Sequence, residues 1–218
     1  MRQNRDTASD LPNLSESTHE ASGAQDAEWV RQALAGDRGV FDKLVDKYEK
    51  PALAVAYRLL SNAHDAQEVA QDAMLRAFRG LGSLENPRIF GPWLMRIVSN
   101  LALNFRHGRA RRSMVSLDEQ ADRSGGEGEG NVLGQLLASA QQRPDQELMT
   151  AELADRIRKA LDELPDRQRM ALILFSIEDR PQKEVAEIIG CSVEAVKWHV
   201  FTARKKLKEK LADLLAGP

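Results

Sequence analysis

Two clusters in this sequence hold residue types that grip polyanions. From Ser192 to Lys210, six bases (Lys197, Arg204, Lys205, Lys206, Lys208 and Lys210) stand against two glutamates, with Trp198, His199 and Phe201 interleaved. From Asn104 to Arg112 there are four arginines, Arg106, Arg109, Arg111 and Arg112, with Phe105 and no acid, and Phe90 and Trp93 lie upstream. Cations at this density neutralise phosphates, and aromatic faces stack on unpaired bases. Each cluster also has a plainer reading: a solvated basic helix face for the first, and for the second a structural Trp93 in a helical core with a solvated arginine tail. For the C-terminal cluster, two large aromatics off the apolar stripe favour recognition, because their exposure is costly unless something covers them. For the arginine cluster the two readings stand level.

Bond-making chemistry finds no support. Cys191 is the single cysteine, so no internal disulfide and no cysteine-cluster metal site can form. His19, His64, His107 and His199 are too scattered for a metal site. Cys191 reads as a small residue in a tight turn rather than a redox switch. No G-x-x-x-x-G-K-[ST] phosphate loop is present, and no Ser/His/Asp arrangement can be defended. The expectation is a protein that is not an enzyme, with no catalytic residues, no metal and no cofactor.

The elements that would position the clusters are helices. Phe41, Leu44, Val45 and Tyr48 fall on one helical face, and Pro51 suits the first turn of a next helix holding Leu53, Tyr57 and Leu60. Asp65 and Glu68 have capping-box spacing and open a third helix through about Arg79. Its inward face is Ala66, Val69, Ala70, Ala73 and Ala77; its outward face is Gln67, Glu68, Gln71, Asp72, Arg76 and Arg79. A fourth helix starts near Pro92. After Pro165 come an apolar helix to about Ile177, a short one from Pro181 to Ile189, and a long one capped by Ser192, with Gly190 closing the turn between them. In the last helix Val193, Val196, Val200, Ala203, Leu207 and Leu211 form the core stripe. Glu194, Trp198, Thr202 and Lys205 face away from it. A short helix, a Gly-containing turn and a basic second helix describe a helix-turn-helix, whose second helix reads the major groove.

The chain of 218 residues has a net charge of −2, an average that hides segregation. Between Ser113 and Asp155 nine acids face only Arg123 and Arg143, in a stretch rich in Gly and Ser. That stretch reads as a flexible acidic linker. The expected organisation is all-α: a polar disordered tail over 1–26, a helical domain over 27–112, a linker over 113–148 and a second helical domain over 149–215. No apolar run reaches the roughly 18 residues of a membrane span, and no secretory signal opens the chain. A cytoplasmic, non-membrane-embedded protein is expected. From the residues alone, a two-domain helix-turn-helix regulator and a helical interaction adaptor stay open beside a promoter-binding subunit.

Four ordered segments carry a more specific resemblance. They are GDRGVFDKLVDKYEKPALAVAYRLL, DAQEVAQDAMLRAF over 65–78, FGPWLMRIVSNLALNFRHGRARR, and LPDRQRMALILFSIEDRPQKEVAEIIGCSVEAVKWHVFTARKKLKEKL. They resemble the sigma-70 family of RNA polymerase sigma factors, in the short extracytoplasmic-function form that keeps domains two and four. The resemblance implies binding to core RNA polymerase, with Asp65, Glu68, Gln71 and Asp72 on the β′ clamp helices and domain four at the β flap. It implies that the loop from Leu81 to Pro87 forms a pocket for a flipped minus-ten base. Trp93, Asn100, Asn104, Arg106, Arg109, Arg111 and Arg112 would contact minus-ten DNA. Lys197, Trp198, His199, Phe201, Arg204 and Lys205 would lie on or beside the minus-thirty-five groove. An anti-sigma factor is a further implied partner. The sequence departs from the family at Asn104, where Asp is common, and at Ala195, Trp198 and His199, where many members read T-V-K-S-R. The departures fall on base-reading positions and leave the core residues Val196, Val200 and Leu207 in place.

Overall fold

The computed structural model describes residues 14–116 and 144–212, and among them every regular element is helical. The helices are α1 (Leu14–Leu34), α2 (Phe41–Leu60), α3 (Ala63–Gly80), α4 (Phe90–Ser116), α5 (Pro144–Asp162), α6 (Asp166–Ser176), α7 (Gln182–Ile189) and α8 (Val193–Lys210). A 3-10 turn at Arg38–Val40 joins α1 to α2, and two more, at Leu81–Ser83 and Pro87–Ile89, lie between α3 and α4.

Four expectations need correction. The tail does not extend to residue 26: α1 begins at Leu14, and Asp26, Ala27 and Val30 are buried against α2 and α4. Residues 14–26 show no apolar period, and α1 packs through its C-terminal half, by Asp26, Ala27, Trp29 and Val30. Helix α2 runs through Pro51 instead of breaking there. Leu44 on one side and Ala52, Val55, Ala56 and Leu59 on the other share one buried face, and packing of that face outweighs the roughly 3 kcal/mol cost of an internal proline. The cap of α3 is Asn62, whose side chain accepts from the Asp65 backbone N–H at 2.9 Å, so Asp65 lies inside the first turn. The linker is also shorter at both ends than 113–148, since α4 reaches Ser116 and α5 starts at Pro144; its centre, 117–143, and the tail over 1–13 lie outside the described residues.

Helices α1–α4 enclose Phe41, Leu44, Val55, Phe90, Leu94 and Val98, and α6–α8 enclose Ile173, Leu174, Val185, Ile188, Val196 and Val200. The two cores are contiguous, because α6 rests on α2 and α7 rests on α4. At this junction Arg169 is fully buried. It pairs with Asp162 and donates to the Arg58 carbonyl oxygen at 3.3 Å. Arg58 in turn pairs with Glu178. Burial pushes the Arg169 and Arg58 guanidiniums below their ordinary proton affinity, and Asp162 opposes this at Arg169.

Candidate nucleic-acid interface

The C-terminal cluster is built on a helix-turn-helix. Gly190 adopts φ +71° at the end of α7 and lets the chain turn sharply. The Ser192 hydroxyl accepts from the Ala195 N–H at 3.2 Å and caps α8. Val196, Val200 and Ala203 bury the inner stripe of α8 against α6 and α7. This fixes the rotation of the helix and turns Lys197, Trp198, Phe201 and Lys205 outward. Trp198 is 57% and Phe201 69% exposed, the two most open large apolar side chains among the described residues.

His199 and Arg204 are not part of that open face in the same way. The His199 ring is partly buried, with its centroid 5.1 Å from that of Trp198. Burial, helped by Arg167, holds its imidazole below the ordinary value and so neutral at neutral pH. Arg204 folds back, donating to the Ser176 hydroxyl at 2.9 Å and lying 5.8 Å from the Phe175 ring centre. The indole of Trp198 thus stands open beside a half-buried His199 and an Arg204 turned back toward α6.

The arginine cluster is arranged differently. Arg106 donates to the Asp162 carbonyl oxygen at 2.8 Å and stands 3.6 Å from the Asp166 carboxylate. The His107 Nε2 lies 2.7 Å from the same carboxylate. Arg109 donates to Asp65 at 2.7 Å. Asn100 and Asn104 are exposed on α4. Trp93 is partly buried in the core: its ring centroid lies 5.9 Å from that of Phe90, and a Cβ on Gly80 would meet it at 3.6 Å. The side chains of Arg111 and Arg112 lie outside the described residues.

On α3, Glu68 and Gln71 are exposed, and Asp72 bonds Arg76 at 3.0 Å. Asp65 is mostly covered and committed to Arg109. Sequence reasoning missed Leu75 and Phe78, which are 54% and 40% exposed on this helix and add an apolar strip beside the polar face. Their signal was present as the i, i+4 and i+3 steps from Gln71 through Leu75 to Phe78. It also missed Asp162 and Asp166 as partners of α4, contacts that span more than fifty residues of sequence. Among the described residues no group of metal-ligating side chains is present, and no helix is long and apolar enough to cross a membrane.

A helix-turn-helix with an open basic-aromatic second helix thus packs beside a four-helix block whose third helix carries a polar face with two exposed apolar side chains. Residues 44–112 match the Sigma-70 region 2 family, and residues 154–207 match the Sigma-70, region 4 family. The chain belongs to the sigma-70 family of RNA polymerase sigma factors, in its extracytoplasmic-function branch, and acts in transcription initiation. It is 30% identical over 85% of its length to the ECF RNA polymerase sigma factor SigW of Bacillus subtilis, covering 96% of that protein. It is 31% identical over 88% of its length to the RNA polymerase sigma-H factor of Pseudomonas aeruginosa, covering 96% of it. Among solved structures it is similar to CnrH in complex with the cytosolic domain of CnrY, with TM-score 0.58, 25% identity, and coverage of 88% of this chain and 99% of CnrH. The fold also matches RpoE of Bartonella quintana, solved with the anti-sigma factor NepR, at TM-score 0.56 and 22% identity, over 79% of this chain and 96% of that one.

Proposed function

We propose that this sigma factor recognises promoters at two elements and opens DNA at the upstream edge of the bubble while bound to core polymerase. The single observation that carries the reading is Trp198 and Phe201 left open between Lys197 and Lys205 on the second helix of a helix-turn-helix. That face suits the minus-thirty-five major groove, where flanking cations neutralise phosphates and side chains meet base edges. The face of α3 with Glu68, Gln71 and Asp72, extended by Leu75 and Phe78, suits the polymerase clamp. The loop over 81–87 and the exposed Asn100 and Asn104 suit the minus-ten strand. Stacking and phosphate neutralisation on the opened strand offset the lost base pairing, so no cofactor enters the reaction.

In this reading, polymerase draws the two blocks apart, because Arg106 and His107 reach DNA only after leaving Asp166. An anti-sigma polypeptide would act in the opposite sense; RpoE of Bartonella quintana is solved with one. The protein works in the cytoplasm, where its polymerase is.

The test is transcription in vitro with purified core polymerase on a library of genomic promoter fragments. Discrete transcripts that depend on this chain are expected, with weak binding to the same duplexes when polymerase is left out. Absence of transcripts on every template would sink the proposal. Tight duplex binding without polymerase would identify an operator-binding regulator instead.

A further inference from the structure

Helix α1 precedes both matched regions, the first of which begins at residue 44. It lies along the 3-10 turn Pro87–Ile89 as well as along α2 and α4. Three observations connect it to the loop assigned to the minus-ten base. First, the Asp26 carboxylate is 1% exposed. It accepts the Tyr48 hydroxyl at 2.6 Å and pairs with Lys47, whose ammonium also reaches the Ser22 carbonyl at 3.3 Å. Second, the Tyr48 ring centre is 5.5 Å from that of Phe90, and Phe90 lies 5.9 Å from Trp93, so the network runs into the first turn of α4. Third, two glycines mark backbone-level approach. A Cβ at Gly23 would stand 2.8 Å from the Arg88 carbonyl oxygen, and one at Gly91 would stand 2.6 Å from the Tyr48 hydroxyl.

The loop is tied by short-range hydrogen bonds, Ser83 to the Gly80 carbonyl and the Arg88 N–H to the Asn86 side chain, and few of its side chains are buried. Between α3 and α4 only Leu81 and Leu84 are buried, while Gly82, Ser83, Glu85, Asn86, Arg88 and Ile89 are exposed. A pocket that receives an extruded base must keep its shape before the base arrives, or the ordering of the pocket is added to the cost of unpairing. Burial and the adjacent Asp26 carboxylate hold the Tyr48 phenol well above its ordinary value, so it stays protonated and donates to Asp26 across the working pH range.

We propose that α1 is the buttress of the 81–89 loop and that Asp26 is a positioning residue for promoter opening, acting through Tyr48 and through the seat of Gly23 on Arg88. The inference rests on the minus-ten role proposed for that loop. A helix that merely adds stability would make no distinction between closed and open templates, whereas a buttress of the opening loop matters only while base pairs remain to be broken.

The experiment uses the full chain with core polymerase and compares transcription from a fully duplex promoter with that from the same promoter carrying a pre-opened mismatch bubble. Asp26→Asn should retain co-purification with polymerase and near wild-type output on the bubble, with a loss of tenfold or more on the duplex. Asp26→Glu should restore part of the duplex activity. Gly23→Ala serves as the second variant, because alanine favours a helix yet its methyl must displace the Arg88 carbonyl; the same duplex-selective loss is expected. Equal losses on both templates, or no loss on either, would overturn the buttress while leaving the promoter reading intact. If the wild-type chain transcribes neither template, the promoter reading itself fails and takes this inference with it.

Discussion

The two basic surfaces of this sigma factor use the same residue types and are held in opposite ways. On α8, Lys197, Trp198, Phe201 and Lys205 project into solvent, and none of the four has an ion-pair or hydrogen-bond partner among the described residues. On α4, Arg106 and His107 are engaged by Asp162 and Asp166 from the other block, and Arg109 by Asp65. The Asp166 carboxylate bridges Arg106 and His107, and under the proposed function it competes there with a DNA phosphate. One block therefore leaves its basic face open, while its acids Asp162 and Asp166 engage the basic face of its neighbour. Surface composition alone cannot distinguish a ready site from a latched one; the ion-pair partners do.

Removing the open face has the largest expected effect. Lys197→Ala combined with Trp198→Ala should lower minus-thirty-five-dependent initiation by about 2–4 kcal/mol, roughly 30- to 1,000-fold, since each stacking or base-edge contact is worth ~1–3 kcal/mol. Both side chains are exposed, so the melting temperature and polymerase binding should not change. Promoter titrations and a thermal melt read the two quantities. A parallel fall in polymerase binding would show that this face meets protein rather than DNA.

A smaller effect tests whether the junction holds the latched surface in place. Asp162→Ala strands the fully buried Arg169 with only the Arg58 carbonyl as partner. Removing one member of a buried pair costs ~3–5 kcal/mol. Asp162 is 43% exposed, which reduces the expected loss to about 1–3 kcal/mol. For a chain of this size that is a fall of roughly 3–10 °C in melting temperature. An unchanged melt would mean that the guanidinium is not confined between the blocks.

What the sequence made legible follows from range. Helix α8, its Ser192 cap and the Gly190 turn are local, set by residues three or four apart, and appear where their spacing puts them. The open aromatics were legible for the same reason, because a helical wheel fixes what lies opposite Val196 and Val200. The latch was not, since Arg106 and Asp166 are sixty positions apart and nothing local in either marks the other. Trp93 was balanced in sequence between a stacking surface and a place in a helical core, and contacts with Phe90 and Gly80 pack it partly against the core. Pro51 and α1 were misjudged because long-range packing overrode a local breaker in one case and a polar composition in the other.

Loosening the latch should affect binding more than stability. Asp166→Asn removes the charge shared by Arg106 and His107, both partly exposed, so each contact is worth ~0–1 kcal/mol and the melt should move little. Free protein should then bind a single-stranded minus-ten oligonucleotide roughly two- to fivefold more tightly at low salt, because competition by the carboxylate is gone. Fluorescence anisotropy measures this. Identical affinities for wild type and variant would mean that Asp166 does not compete with phosphate.

The smallest expected effect is the most diagnostic in sign. Arg109 bonds Asp65 at 2.7 Å while remaining 64% exposed, so solvent screening leaves the pair worth a few tenths of a kcal/mol at most. If Arg109 leaves Asp65 to meet DNA, the two halves of the bond behave oppositely. Arg109→Ala removes one phosphate contact, weakens binding to the minus-ten strand and lowers the salt slope by about one. Asp65→Asn releases the arginine and leaves that binding equal or stronger, with any loss confined to the first turn of α3, where an acid favours the helix end. A salt titration of oligonucleotide binding by the two variants separates these outcomes. Losses of the same size from both would make the bond a structural tie between α3 and α4, and would place the latched surface among the parts of the protein that do not open.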